Sequence, residues 1–339
     1  MTVYSIEQSR SRDIFNTAFT RMLGIRYPIV QAGMGHIARA ELAAAVSGAG
    51  GFGVVGSTGD LTPGELQDEI RQVKSLTTKP FAVNLLFPKQ TGSDSDADLL
   101  RETREKVDVI LGEGVPVLGA GLGVPPPEVI NACKRSGTLV MCTIGATRHA
   151  VKAQEAGADI LIAQGWEAGG HNSTVASMAL LPQVGRVARV PYLAAGGIAN
   201  GGGLVAALAL GAAGVYMGTV FATTTEARAH EGYKAAIMST PDTGTVVTRA
   251  LSGKPARLIR NEFTDYFETH PQEIRPFPEQ LESQQGNTIA VRQHGRVQQG
   301  AAPSGQIGGY VQHIEPASVV IRRLVEEAQV VVEEGLYNR

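Results

Sequence analysis

The stretch "VPYLAAGGIANGGGLVAALALGAAGVYMGT", residues 190–219, holds two short apolar runs around one longer one. "PYLAAGGI" (191–198) and "AGVYMGT" (213–219) each end in glycine or a polar residue, and "LVAALALGAAG" between them has the length and composition of a helix. Strand, helix and strand within about 30 residues form a βαβ unit, whose two strands run parallel. Both strand runs are almost continuously apolar, as expected when helices cover both faces of a parallel sheet. The fold then depends on how often the unit recurs.

It recurs upstream as far as residue 27. "YPIVQAG" (27–33), "FGVVG" (52–56), "FAVNLL" (81–86), "VPVLGAG" (115–121), "TLVMCTIG" (138–145) and "ADILIAQG" (158–165) are further strand candidates. Helix-patterned segments such as "PGELQDEIRQVKSL" and "TRHAVKAQEAG" separate them, and several stop at glycine, the usual helix terminator. Eight strands, each followed by a helix, predict an α/β fold of the (β/α)8 TIM-barrel type, which takes about 250 residues. A doubly wound sheet, the alternative, more often has fewer strands. The barrel is expected over residues 20–240. From 241 to 312 the chain turns to Pro, Gln, Gly and charge, as in "THPQEIRPFPEQLESQQGN", which predicts an irregular or short-helical cap over the barrel mouth. Helical periodicity returns in "EPASVVIRRLVEEAQVVVEEG", so 313–339 should be a final helix packed back on the barrel.

Composition narrows the function class. A net charge of −2 does not point to nucleic acid or an anionic membrane as partner. The apolar stretch at 204–218 is broken by glycines and too short to span a bilayer. The first residues lack the apolar core of a signal peptide, and the two cysteines, Cys133 and Cys142, lack a disulfide or metal pattern; a cytoplasmic protein is expected.

In a barrel the loops after the strands form the active face. Loops after the seventh and eighth strands commonly hold phosphate, which makes Gly196, Gly197, Gly218 and Thr219 candidates. Gly48, Gly50 and Gly53 spell G-x-G-x-x-G, but between helix and strand, the wrong order for a dinucleotide fingerprint. Gly201, Gly203 and Ala206 lack the acidic residue that should follow. The seven histidines show no zinc-binding pairing, so no metal is expected. His171 stands out because it follows the sixth strand behind two glycines, and imidazole suits acid–base work near neutral pH.

Together, "YPIVQAGMG", "FAVNLL", "GADILIAQGWEAGGH", the opening stretch and "HEGYKAAI" (230–237) closely resemble the nitronate monooxygenase family, formerly 2-nitropropane dioxygenase. That family includes the flavin-dependent enoyl-ACP reductase II. The resemblance covers about residues 20–240 and implies a barrel that binds FMN. It implies that Ala32, Gly33 and Met34 face the flavin ring and that Asn84 and Gln164 bond near its polar edge. Gly169 and Gly170 would let the backbone pass beside the ring, with Gly196, Gly197, Gly218 and Thr219 on the phosphate. His171 matches the family's active-site histidine, and "QQGAAPSGQIGG" (298–309) resembles a return to the pocket through Ser304 and Gln306.

The implied reaction is oxidation of an alkyl nitronate by O2 to a carbonyl compound and nitrite, without NAD(P)H. Two departures keep an alternative open. Met141 stands where relatives often carry lysine, and "SGKPARLIRNEFTD" resembles a branch that acts on CoA thioesters. The alternative is an FMN-dependent enoyl- or hydroxyacyl-thioester oxidoreductase, or a quinone reductase, with NAD(P)H as partner. Either reading is compatible with a homo-oligomer.

Overall fold

The computed structural model describes residues 13–56, 60–88 and 94–334. Its centre is an eight-stranded parallel sheet. The first six strands are β1 (Ile29–Gln31), β2 (Gly53–Gly56), β3 (Phe81–Leu86), β4 (Val117–Gly121), β5 (Leu139–Ile144) and β6 (Ile160–Gln164). After a two-residue strand that belongs elsewhere, β7 (Gly170–His171), come β8 (Tyr192–Ala195) and β9 (Val215–Met217). The order is β1-β9-β8-β6-β5-β4-β3-β2, so the sheet has β1 at one end and β2 at the other.

Those ends meet. Val30 and Phe52 form a parallel bridge, and the Gln31 N–H donates to the Phe52 carbonyl at 3.1 Å. The Gln31 side chain extends the seam. Its Oε1 accepts from the Val54 N–H and its Nε2 donates to the Val54 carbonyl, both at 3.1 Å. A side chain thus replaces ladder bonds where β1 is too short to supply them, and the sheet closes into a TIM barrel.

Helices α1 (Ala18–Leu23), α2 (Ala40–Gly48), α3 (Pro63–Leu76), α4 (Asp94–Gly112), α5 (Pro127–Ser136), α6 (Thr147–Ala156), α7 (Ser177–Gly185) and α8 (Gly201–Ala209) accompany the strands. All but α1 lie between strands. α1 precedes β1 and carries Phe19, which is fully buried edge-to-face against Phe52 at 5.9 Å and helps fill the barrel interior. Side chains alternate between two cores with the strand period of two. Val30, Val54, Ala82, Val117, Met141, Ile160, Ile162 and Leu193 fill the barrel. Val55, Val83, Leu118, Val140, Leu161 and Ala194 face the helices. That double burial explains the nearly unbroken apolar runs.

Beyond the barrel lie α9 (Thr219–Ala222), α10 (Glu231–Ser239), β10 (Thr245–Thr248), β11 (Ala256–Ile259), α11 (Glu262–Thr269), α12 (Glu279–Ser283), α13 (Gln285–His294) and α14 (Ala317–Glu334). The sequence led to irregular or short-helical structure over 241–312, and the helices are there, but so is a β-hairpin. β10 pairs antiparallel with β11, and β11 pairs with β7 through Ala256–His171 and Arg257–Gly170. α14 lies against α2 and α8 and buries Val320, Ile321, Leu324, Val325 and Ala328. The Gly201 N–H at the start of α8 donates to Glu327 Oε2 at 2.7 Å. The last five residues, 335–339, lie outside the described ones. Among the described residues no helix is long and apolar enough to cross a membrane.

Candidate active site

Strand alternation fixes which side chains crown the barrel. Two residues beyond the inward Val30, Ala82, Ile162 and Tyr216 come Ala32, Asn84, Gln164 and Gly218. Asn84 is 6% exposed, and its amide makes no hydrogen bond to another described residue. It sits between glycines that must be glycines: a Cβ on Gly33 would lie 2.6 Å from Asn84 Cβ, and one on Gly119 would lie 2.9 Å from its Oδ1. A buried amide without a protein partner is costly unless something else binds it. Gln164 donates from Nε2 to the His171 carbonyl at 2.8 Å, leaving its Oε1 for another donor. The Gly33 N–H is held by Tyr216 Oη at 2.8 Å. Met34 and Ala32 border Gly218, whose Cβ would lie 3.7 Å from both side chains.

The glycine loops divide between two tasks. Gly196 and Gly197 follow β8 with φ of +96° and +75°, and their N–H groups have no acceptor among the described residues. Gly218 precedes the short helix α9. Gly201 and Gly203 instead serve packing and capping. Gly201 meets α14, and Gly203 donates to the Asn200 side chain at 2.8 Å.

The appendage reaches back into this face. The Gly305 N–H donates to Thr219 Oγ1 at 2.9 Å, and the Gln306 N–H donates to the Glu167 carbonyl at 3.0 Å. Ser304 is buried beside them. The close approach at Gly169 is to this segment, since a Cβ there would lie 2.6 Å from Gly305 N. Gly170 has φ +72° and open space beside it. The structure therefore brings Ser304 and Gln306 together with Gly169 and Thr219.

His171 stands where the hairpin joins the barrel face. Its Nε2 is 2.6 Å from Ser252 Oγ. Burial, with the cations of Lys254 and Arg292, pushes its pKa down to about 4. The imidazole is therefore neutral at neutral pH, with one nitrogen able to accept and the other to donate. Met141 is elsewhere. It is fully buried within the barrel, and the next inward residue toward the mouth is Thr143, which is partly exposed. A cation in place of Met141 would face the apolar interior.

The family model for nitronate monooxygenases matches residues 16–327. The chain belongs to the nitronate monooxygenase family. It is 34% identical to a probable nitronate monooxygenase of Staphylococcus saprophyticus, over 92% of this chain and 98% of that protein. Among solved structures, FabK from Thermotoga maritima superposes with a TM-score of 0.83 at 35% identity, covering 94% of this chain and 97% of that one. A nitroalkane oxidase from Streptomyces ansochromogenes gives a TM-score of 0.82 at 32% identity, covering 92% and 98%. As a nitronate monooxygenase family member the protein is an oxidoreductase.

Several residues of this family member carry no strong signal in the sequence. Ser252 and Lys254 lie in the hairpin turn, beside a glycine (Gly253) with φ +78°. Arg257 of β11 donates from Nε and Nη2 to the Trp166 carbonyl at 3.1 and 2.9 Å, fixing the loop that leads to His171. Arg292 of α13 donates to the Gly35 carbonyl at 2.8 Å, on the loop after β1. Only the pairing of β7 with β11 brings the hairpin residues beside His171, and sequence spacing does not display it. His36, on the loop after β1, lies with Nδ1 3.3 Å from Gln293 Nε2. His230 caps α10, its Nδ1 accepting from the Gly232 N–H at 3.0 Å.

Proposed function

We propose that the protein is an FMN-dependent nitronate monooxygenase, oxidising alkyl nitronates with O2 to carbonyl compounds and nitrite. The observation that carries this reading is the setting of His171: a neutral imidazole held by Ser252 where the hairpin joins the barrel face, in the positive field of Lys254 and Arg292. Such a site favours a substrate whose reacting end arrives as an anion. A nitronate does, whereas the reacting carbon of an enoyl thioester is neutral.

The residues fit FMN. The Asn84 amide and the Oε1 of Gln164, neither hydrogen-bonded to another described residue, suit the polar edge of the isoalloxazine ring. Ala32, Gly33, Met34, Gly119 and Gly170 line a surface of small or pliable groups. Gly196, Gly197, Gly218 and Thr219 would take the phosphate on backbone N–H groups, as loops at this corner of a barrel commonly do. Bound there, the flavin supplies the electron-accepting and oxygen-reacting group. His171 meets the substrate through Nδ1, the nitrogen that Ser252 leaves available: in one tautomer it donates to the nitronate oxygens, and in the other it removes the α-proton of a neutral nitroalkane. Ser252 holds Nε2 and so fixes the ring orientation. Ser304 and Gln306 close the pocket from the appendage side.

The family's inclusion of a flavin-dependent enoyl-ACP reductase makes reduction of an enoyl thioester by NAD(P)H the competing reaction. Oxygen uptake and nitrite release with propyl-2-nitronate as the sole reductant support the proposal. Uptake or flavin reduction only with NADH or NADPH and an enoyl-CoA would replace it with the second reading.

A further inference from the structure

Among the described residues, the arginines around the loop after β1 have acidic partners, with one exception. Arg39 meets Asp60 at 2.6 Å, and Arg228 meets Glu41 at 2.9 Å and Glu69 at 3.0 Å. Arg292 has no carboxylate within ion-pairing distance among the described residues. Its Nη1 bonds the Gly35 carbonyl, and its Nε is sealed from solvent with no acceptor. One turn earlier on the same face of α13, Thr288 Oγ1 is also sealed and unpartnered. A guanidinium drawn from water while the carboxylate that acts on it, Asp60, stays beyond ion-pairing distance is expensive. That cost is offset when a ligand brings an anion to the terminal nitrogens, of which Nη2 makes no hydrogen bond to another described residue.

We propose that Arg292 is a specificity-determining residue that takes the oxyanion of the substrate at the barrel mouth. The location agrees with this: Arg292 is tied to the loop that carries Ala32, Gly33 and Met34, and its charge is felt at His171. The assignment rests on the nitronate reading for the identity of the substrate but not for the existence of an oxyanion site. Gly35 carries no such preference, since its carbonyl can only accept.

Nitrate, a planar oxyanion with an O–N–O fork like that of a nitronate, is the probe. In the holoprotein nitrate should raise the thermal midpoint and bind saturably. Arg292→Met should weaken that binding roughly 10- to 100-fold, as expected for losing a charge-assisted pair. Arg292→Lys, which keeps the charge but not the terminal nitrogens, should fall between. Without nitrate, Arg292→Met should be no less stable than wild type, because it removes an unpaired buried charge. If the variant is destabilised, the comparison moves to Arg292→Lys and Arg292→Gln. In turnover, Arg292→Met should raise KM for propyl-2-nitronate with little change in kcat, and leave KM for neutral 2-nitropropane nearly unchanged. Nitrate binding equal in wild type and all variants overturns the assignment. Arginine-dependent nitrate binding without nitronate turnover keeps the oxyanion site and removes the nitronate reading. Turnover that is insensitive to Arg292 does the reverse.

Discussion

His171 shows how the environment of one side chain sets its chemistry. An ordinary imidazole is half protonated near pH 6.5, and here burial and two cations move that point down to about 4. The folded state therefore binds fewer protons than the unfolded chain between those values. Whatever stability the neutral ring contributes is present above about pH 6.5 and lost as the pH falls toward 4. The acid limb of the kcat/KM profile for a nitroalkane should lie nearer pH 4 than 6.5, and a limb at 6.5 or above would contradict the cationic setting. His171→Ala should retain flavin while losing roughly 10²- to 10⁴-fold in turnover, the usual range for a positioned acid–base group. Ser252→Ala should cost about tenfold, the scale of one hydrogen bond. It should also shift the pH profile, a change that simple loss of packing would not cause. His171 was conspicuous in the sequence because of its neighbours "EAGG", but Ser252 lies 81 residues away and acquires meaning only through the fold.

The elements differ in how far local pattern reveals them. Asn84 within β3 and Gln164 at the end of β6 are polar residues in apolar strands, and period-two alternation suffices to turn them inward. The hairpin of β10 and β11 is a different case. "TVVT" and "ARLI" are acceptable strands, but their third partner, β7, is a two-residue strand in a loop far upstream. Pairing of that kind is specified by tertiary contact, not by composition. The barrel seam is similar, since nothing in "IVQ" announces that the Gln31 amide will bond both backbone groups of Val54. Gln31→Leu should destabilise by about 1–3 kcal/mol, the cost of leaving buried backbone groups unsatisfied. Urea denaturation measures this, and an unchanged midpoint would remove the seam role. Gly119→Ala should push the Asn84 amide aside, because the added carbon would sit 2.9 Å from Oδ1. Weaker flavin retention with an unchanged fold is the expected outcome, read by equilibrium dialysis and circular dichroism.

For the whole molecule, the repeated βα pattern made the barrel legible, and the end of that pattern near residue 240 marked where the appendage begins. How the appendage closes on the barrel was not legible, because it depends on backbone contacts such as Gly305 with Thr219 and Gln306 with Glu167. α14 completes the outer layer. Removing it would expose Val320, Ile321, Leu324 and Val325, and at about 1.5–3 kcal/mol for each large side chain the loss is roughly 6–12 kcal/mol. That approaches the entire stability of an ordinary domain, about 5–15 kcal/mol, so a chain ending at residue 316 should fail to fold. The proposed function makes one central claim, that an anionic nitronate is the electron donor at this site. Anaerobic mixing of the purified holoprotein with propyl-2-nitronate tests it most directly. Bleaching of the flavin absorbance by the nitronate alone is the predicted result; an unchanged spectrum with nitronate, followed by bleaching with NADH or NADPH, would contradict it.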